Sequence, residues 1–131
     1  MTLAGDTDFL QPYLRDPRGA WSVRNRSTER VLASTIIPAF DRKARNRGLL
    51  GQQSLAPGVA MVLAPCNGIH TWFMRFPIDV IFVGRSGRVL KVRERMAPFR
   101  LTLRLGAFAV IELAAGSSAH TSVGDTLFLS R

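Results

Sequence analysis

The stretch Cys66 to Gly84, CNGIHTWFMRFPIDVIFVG, restricts the fold more than any other part of the chain. It is the densest run of apolar and aromatic residues. It also holds the only cysteine, one of two histidines, one of two tryptophans and an aspartate. Pro65 and Gly68 break any helix ahead of it, and Pro77 interrupts it. The pieces between these breaks, His70 to Phe76 and Ile78 to Val83, are strand-length and rich in aromatic and β-branched residues. They predict two strand segments joined by a kink at Pro77. Alternation then puts His70, Trp72, Met74 and Phe76 on one face and Thr71, Phe73 and Arg75 on the other. Ile78 to Val83 is apolar on both faces apart from Asp79, the pattern of a strand in the middle of a sandwich or closed barrel. A buried carboxylate without a partner is strongly disfavoured, so Asp79 is expected either paired or at the edge of a pocket.

The rest of the chain supplies partners for these strands. Trp21 to Asn25 and Arg30 to Ile37 read as a hairpin around the polar turn Arg26 to Glu29. Pro38 is expected to end the second of them. Ala39 to Leu50 is the one substantial helix, with Asp41 near its start and Arg45 and Arg47 near its end, as the helix dipole favours. Gly48 and Gly51 stop it. Val59 to Ala64, Arg88 to Glu94, Leu101 to Leu105, Phe108 to Leu113 and Asp125 to Ser130 are further short strands, and Arg85-Ser86-Gly87 is a hairpin turn. Seven or eight strands, one helix and short connections predict a mainly β chain. The expected form is a small antiparallel barrel or sandwich with one short helix. At 131 residues this is one domain, residues 21–131, preceded by a loosely packed arm over residues 1–20 with a turn of helix near Phe9.

These segments resemble, in order, the prokaryotic family called domain of unknown function 192. FMRFPIDVIFV followed by a turn and RVLKV is similar to its signature. ARNRGLLGQQSLAPGVAMVL, AVIELAAGSSAH and VGDTLFL are similar to its flanking segments, so the likeness runs from Ser22 to Leu129. The resemblance implies a compact β-rich domain and singles out Arg47, Gly48, Arg75, Pro77, Asp79 and Glu112. It implies no activity. Where many relatives have a Trp-Met-x-Asn-Thr form before the proline, this chain has Phe73-Met74-Arg75-Phe76, which changes the charge and shape of any pocket there.

Composition narrows the function classes. A hydrophobic content of 47% excludes wholesale disorder. The lone cysteine excludes an internal disulfide, and a reducing cytoplasm is compatible with it. MTLAGDTDFL does not read as a signal peptide, and no stretch approaches eighteen consecutive apolar residues, so a cytoplasmic chain without a membrane span is expected. The formal net charge is +9, and 16 of the 18 basic residues are arginine. Arginine suits bidentate binding of phosphate or carboxylate, although genome composition alone also raises its count.

Several residue sets carry candidate chemistry. Cys66 and His70, with Asp79 and His120, are of the right types for a zinc site. A strand spacing of four, however, separates two side chains by roughly 13 Å, so no metal and no cofactor is expected. The same residues can be drawn as a Cys-His-Asp nucleophilic set, but Cys66 follows a proline instead of opening a helix that would lower its pKa. Asp79 and Glu112 sit in apolar strands where carboxyl pKa values rise, which would suit a two-carboxylate hydrolase assisted by His70. The structural alternative pairs each acid with an arginine. Arg75, Thr71 and Phe73 place a guanidinium, a hydroxyl and an apolar wall on one strand face, and Arg47 at the helix end could approach from the other side. The candidate ligand-binding set is therefore Arg75, Asp79, Arg47, Thr71, His70 and Glu112. The leading expectation is a non-enzymatic small-barrel binding module for an anionic small molecule or partner. The alternatives are a hydrolase using Asp79, Glu112 and His70, and a basic nucleic-acid-binding domain.

Overall fold

A computed structural model describes residues 8–131. In chain order it contains α1 (Gln11–Arg15), β1 (Ser22–Asn25), β2 (Val31–Ala39), α2 (Arg42–Arg47), β3 (Gly58–Leu63), β4 (Gly68–His70), β5 (Ile78–Val83), β6 (Val89–Met96), β7 (Leu101–Leu103), β8 (Ala109–Ala114) and β9 (Leu127–Ser130). Seven strands form one mixed sheet in the order β6-β5-β8-β3-β2-β1-β9, and β4 and β7 form a separate two-stranded sheet. The chain is mainly β, as its patterning predicts. It is not wholly antiparallel, and neither sheet closes into a barrel. The edge strands β6 and β9 approach only around an isolated bridge, Arg88 to Thr126, flanked by hydrogen bonds from Val89 N to Asp125 O and from Leu127 N to Gly87 O, both 2.8 Å.

The one parallel pair explains the departure from an antiparallel design. β2 and β3 run parallel in register from Thr35–Val59 to Ala39–Leu63. Parallel neighbours need a crossover, and α2 with the following loop supplies it. Asp41 caps α2, its carboxylate accepting from Ala44 N at 2.7 Å, and Gly48 ends it at φ 49°. Pro38 does not end β2. β1 pairs with β2 only through Ala33 and Val31, so the missing N–H of Pro38 costs no ladder bond on that side.

β5, β8 and β3 are sheet-central and apolar on both faces. Ala60, Val62, Ile81, Val83, Ile111 and Leu113 build the core on one side. Met61, Leu63, Ile78, Val80, Phe82 and Val110 build a second core on the other. The expected loose arm is packed from Phe9 onward: Phe9 and Leu10 are buried in the first core, and Tyr13 meets Phe40 edge to face. Residues 1–7 of that arm lie outside the described residues. A second short helix, α1, follows at Gln11.

The segment His70 to Phe76 is not a strand. β4 stops at His70, and the chain turns, with Met74 N donating to Thr71 O and Phe73 at φ 65°. Thr71 fixes the turn. Its hydroxyl donates to Ala97 O at 2.6 Å and accepts from Arg100 N at 3.0 Å, and its backbone bonds both Phe99 and Arg100. Trp72 and Phe73, which their chemistry marks for a core, are exposed.

Candidate functional site

Glu112 is the centre of the site. It lies in β8 opposite Met61 of β3 and Val80 of β5, so its cross-strand neighbours on that face are apolar. It is 4% exposed, and its Oε1 has no hydrogen-bond partner among the described residues. Burial without compensation pushes its pKa up to about 7. The carboxyl faces a cavity of about 420 Å³. Arg45, Arg47 and Leu49 close one side, Pro65 to His70 another, and Trp72 and Met74 complete the wall.

The lining residues have distinct roles. Arg45 is committed to the fold, its guanidinium donating to Phe40 O at 3.0 Å and Ala64 O at 3.4 Å, which ties α2 to the end of β3. Arg47, in the last turn of α2, is exposed and makes no ion pair among the described residues. His70 stacks on Trp72 with ring centroids 4.5 Å apart, and its Nδ1 accepts from Trp72 N at 3.3 Å. The Cys66 thiol donates to Gly68 O at 3.2 Å. Burial chiefly, and the nearby Glu112, push its pKa up against the opposing Gly68 bond and Arg45 charge. This favours the neutral thiol, the opposite of the lowered pKa that activates a nucleophilic cysteine.

Asp79 is placed elsewhere. Directly paired residues share a sheet face. Asp79 is paired with Leu113 and Glu112 with Val80, so the two carboxyls point to opposite faces and form no catalytic pair. Asp79 is fully buried. Its Oδ1 accepts from Arg95 N at 2.8 Å. Its Oδ2 accepts from Gly116 N, Ser118 N and Ser118 Oγ at 3.0, 2.8 and 2.6 Å. Burial alone would raise its pKa, but these bonds together hold it below the usual value. Backbone amides and the Ser118 hydroxyl, not an arginine side chain, stabilise its charge.

Of the six sequence candidates, Arg47, His70 and Glu112 line the cavity. Thr71, Asp79 and Arg75 lie outside its lining, the first two hydrogen-bonded within the fold and Arg75 exposed. The expected face of Arg75, Thr71 and Phe73 does not exist, because that segment is a turn. Sequence reasoning passed over Asn67, Leu49 and Met74 as lining residues. Only the closeness of the Pro65–His70 segment to the end of α2 brings them in, and no periodicity signals that. Cys66 and His70 both line the cavity, while His120 lies with Arg30 and Thr121 at a different surface depression. No cluster of three or more His, Cys, Asp or Glu side chains able to hold a metal occurs among the described residues. No helix among them is long and apolar enough to cross a membrane.

Comparison with known proteins locates the fold. A model of the family DUF192, described as "Uncharacterized ACR", matches residues 23–129. No curated protein matches. A protein of unknown function from Novosphingobium aromaticivorans DSM 12444 superposes with a TM-score of 0.70 at 22% identity, over 82% of this chain and 81% of that one. A protein from Sinorhizobium meliloti 1021, described as "a putative transcription regulator", superposes with a TM-score of 0.71 at 22% identity, over 82% and 92%. At that identity the likeness is one of fold.

Proposed function

The chain belongs to the DUF192 family, a membership that brings a fold and no reaction, and we propose that the Glu112 cavity makes it a binding module for a small anionic molecule. One observation carries this reading: a carboxyl 4% exposed, with an unpartnered oxygen, on the floor of a cavity. A buried polar group left unsatisfied costs about 1–3 kcal/mol, and a valine or leucine there would avoid that cost. A ligand that engages the carboxyl accounts for its presence. The volume of about 420 Å³ falls in the range of small-molecule sites.

The lining supports a ligand of three parts. Arg47 on the rim pairs its anionic group. Leu49, Leu63, Ile69 and Met74 contact an apolar middle. Glu112, protonated, donates to an acceptor at the far end. A small organic acid or phosphate ester with a second polar atom remote from its charge meets all three. Because the donor is the protonated carboxyl, affinity falls as pH rises through about 7.

Calorimetric titration of small carboxylates and phosphate esters at pH 6 and pH 8 tests the reading. Saturable binding that weakens at the higher pH, weakens further in Arg47→Gln, and becomes pH-independent in Glu112→Gln supports it. Absence of saturable binding, or binding indifferent to both substitutions, rejects it. An acid–base enzyme is the second reading, favoured by the raised pKa of Glu112 beside His70. It has lost Asp79 as a partner, and it requires turnover that Glu112→Gln abolishes while binding persists.

A further inference from the structure

The two-stranded sheet carries an unpartnered apolar surface. β7 alternates Leu101, Thr102 and Leu103, with Thr102 buried and both leucines 55% exposed. Leu105 follows at 77%, and Phe73 stands at 74% on the turn after β4. Phe99 packs edge to face on Phe73 with centroids 5.5 Å apart. The segments that bear these side chains are neighbours: His70 pairs with Leu101 and Gly68 with Leu103, and Phe99 N donates to Thr71 O. Single exposed apolar residues need no explanation, whereas a contiguous group marks an interaction surface.

We propose that this face docks on an anionic phospholipid bilayer. Charge is the first argument. Arg75, Arg100 and Arg104 rise exposed from the same segments and make no ion pair among the described residues. Between Pro65 and Ala109 the only acids are Asp79, which is buried, and Glu94. Shape is the second. Phe73, Phe99 and the three leucines stand outside the lining of the Glu112 cavity and are more than half exposed, an open surface that suits a bilayer plane. Residue type is the third. Three of the five exposed apolar side chains are leucines, which have no π-face on which a base could stack. Leucine, phenylalanine and tryptophan ringed by arginine are the residues that enter the boundary between headgroups and acyl chains. Trp72, which lines the Glu112 cavity, stacks on His70, the partner of Leu101 in this sheet, so docking sets the cavity mouth beside the headgroups.

The test is co-sedimentation of the full chain with phosphatidylcholine vesicles, with and without phosphatidylserine. It is paired with quenching of tryptophan fluorescence by brominated acyl chains in a Trp21→Phe background, where only Trp72 reports. The expected result is binding to the anionic vesicles alone, with Trp72 quenched. Arg100→Gln and Arg104→Gln each weaken binding roughly fivefold. Phe73→Ser with Leu105→Ser abolishes quenching while the circular dichroism spectrum is unchanged. Vesicle binding without quenching, or unaffected by the Phe73 and Leu105 substitutions, is mere adsorption of a basic protein and overturns the proposal. So does binding of a single-stranded oligonucleotide that these substitutions abolish while vesicles are ignored. Neither outcome bears on small-molecule binding at Glu112, which is read by titration without lipid.

Discussion

Ser118 holds Asp79 twice, its backbone N–H at 2.8 Å and its hydroxyl at 2.6 Å both donating to the same carboxylate oxygen. With Gly116 N and Arg95 N this ties three separate parts of the chain, β5, the end of β6 and the loop after β8, to one buried side chain. Asp79→Ala leaves four donors without an acceptor and is expected to destabilise the fold by about 3–5 kcal/mol. Asp79→Asn turns an amide NH₂ toward donors and recovers only part of that. Ser118→Ala removes one bond to a charged acceptor and costs about 1.5–3 kcal/mol. Urea denaturation curves rank the three, and a loss in Asp79→Ala under about 0.5 kcal/mol would mean that water satisfies these donors.

The two buried carboxyls give opposite pH slopes. Glu112 goes from an ordinary 4.5 to about 7, so between those values the native state holds a proton that the unfolded state has released. Stability from this group is full below about pH 4.5, falls as pH rises, and levels off above about pH 7. The total loss is about 3 kcal/mol. Asp79 is depressed, so its contribution is present above its unfolded pKa and disappears as pH falls through its native one. The protein is therefore expected to be most stable on the acid side of neutrality. Glu112→Gln should flatten the decline toward pH 8 and exceed the parent in stability there. Denaturation at pH 5 and pH 8 measures both, and a parent curve flat between them contradicts the unpartnered state of Glu112.

Much of the fold is legible in the sequence because its strands are short and bounded by turn residues. IDVIFV reads as a strand buried on both faces, and it is one. The hairpins around Arg26 to Glu29 and Arg85 to Gly87 are similarly marked by polar or glycine turns. HTWFMRF misleads for a physical reason. Aromatic density suggests a core strand, but Trp72 and Phe73 face solvent, and the turn is fixed by Thr71 bonding to residues nearly thirty positions away. The parallel β2–β3 pair is also hidden, since local pattern does not state which strand a crossover returns to. For the site, the types at Arg47, His70 and Glu112 are visible. That Asp79 and Glu112 face apart depends on register, and a one-residue slip would reverse it.

Cys66 offers a chemical check on the cavity. Its thiol pKa is raised mainly by burial, and the neighbouring Glu112 adds to the rise. Alkylation by iodoacetamide near neutral pH is expected to be several-fold slower in the native protein than in urea, because the thiolate is the reacting form. Glu112→Gln should accelerate it modestly and Arg45→Gln should slow it further. Native alkylation faster than that of the unfolded chain would restore the nucleophilic reading of Cys66 and His70.

Gly87 and Gly124 separate two causes of glycine requirement. Both have positive φ, 89° and 97°, so alanine is strained at either place by roughly 1–2 kcal/mol. At Gly124 an added Cβ meets nothing within 4 Å, and strain is the whole expected cost. At Gly87 it would overlap the Leu127 carbonyl, with the Phe9 ring at 3.3 Å behind it. That carbonyl is backbone of β9 and cannot rotate away. To make room, β9 must shift from the β5–β6 turn, breaking the 2.8 Å bond from Leu127 N to Gly87 O and loosening the Arg88–Thr126 bridge. Overpacking of this kind adds about 1–3 kcal/mol, so Gly87→Ala should lose about 3 kcal/mol in total. Amide hydrogen exchange should then accelerate at Leu127 in Gly87→Ala and remain unchanged there in Gly124→Ala. Equal losses in the two variants would mean that the edge strands are joined by something other than this close approach.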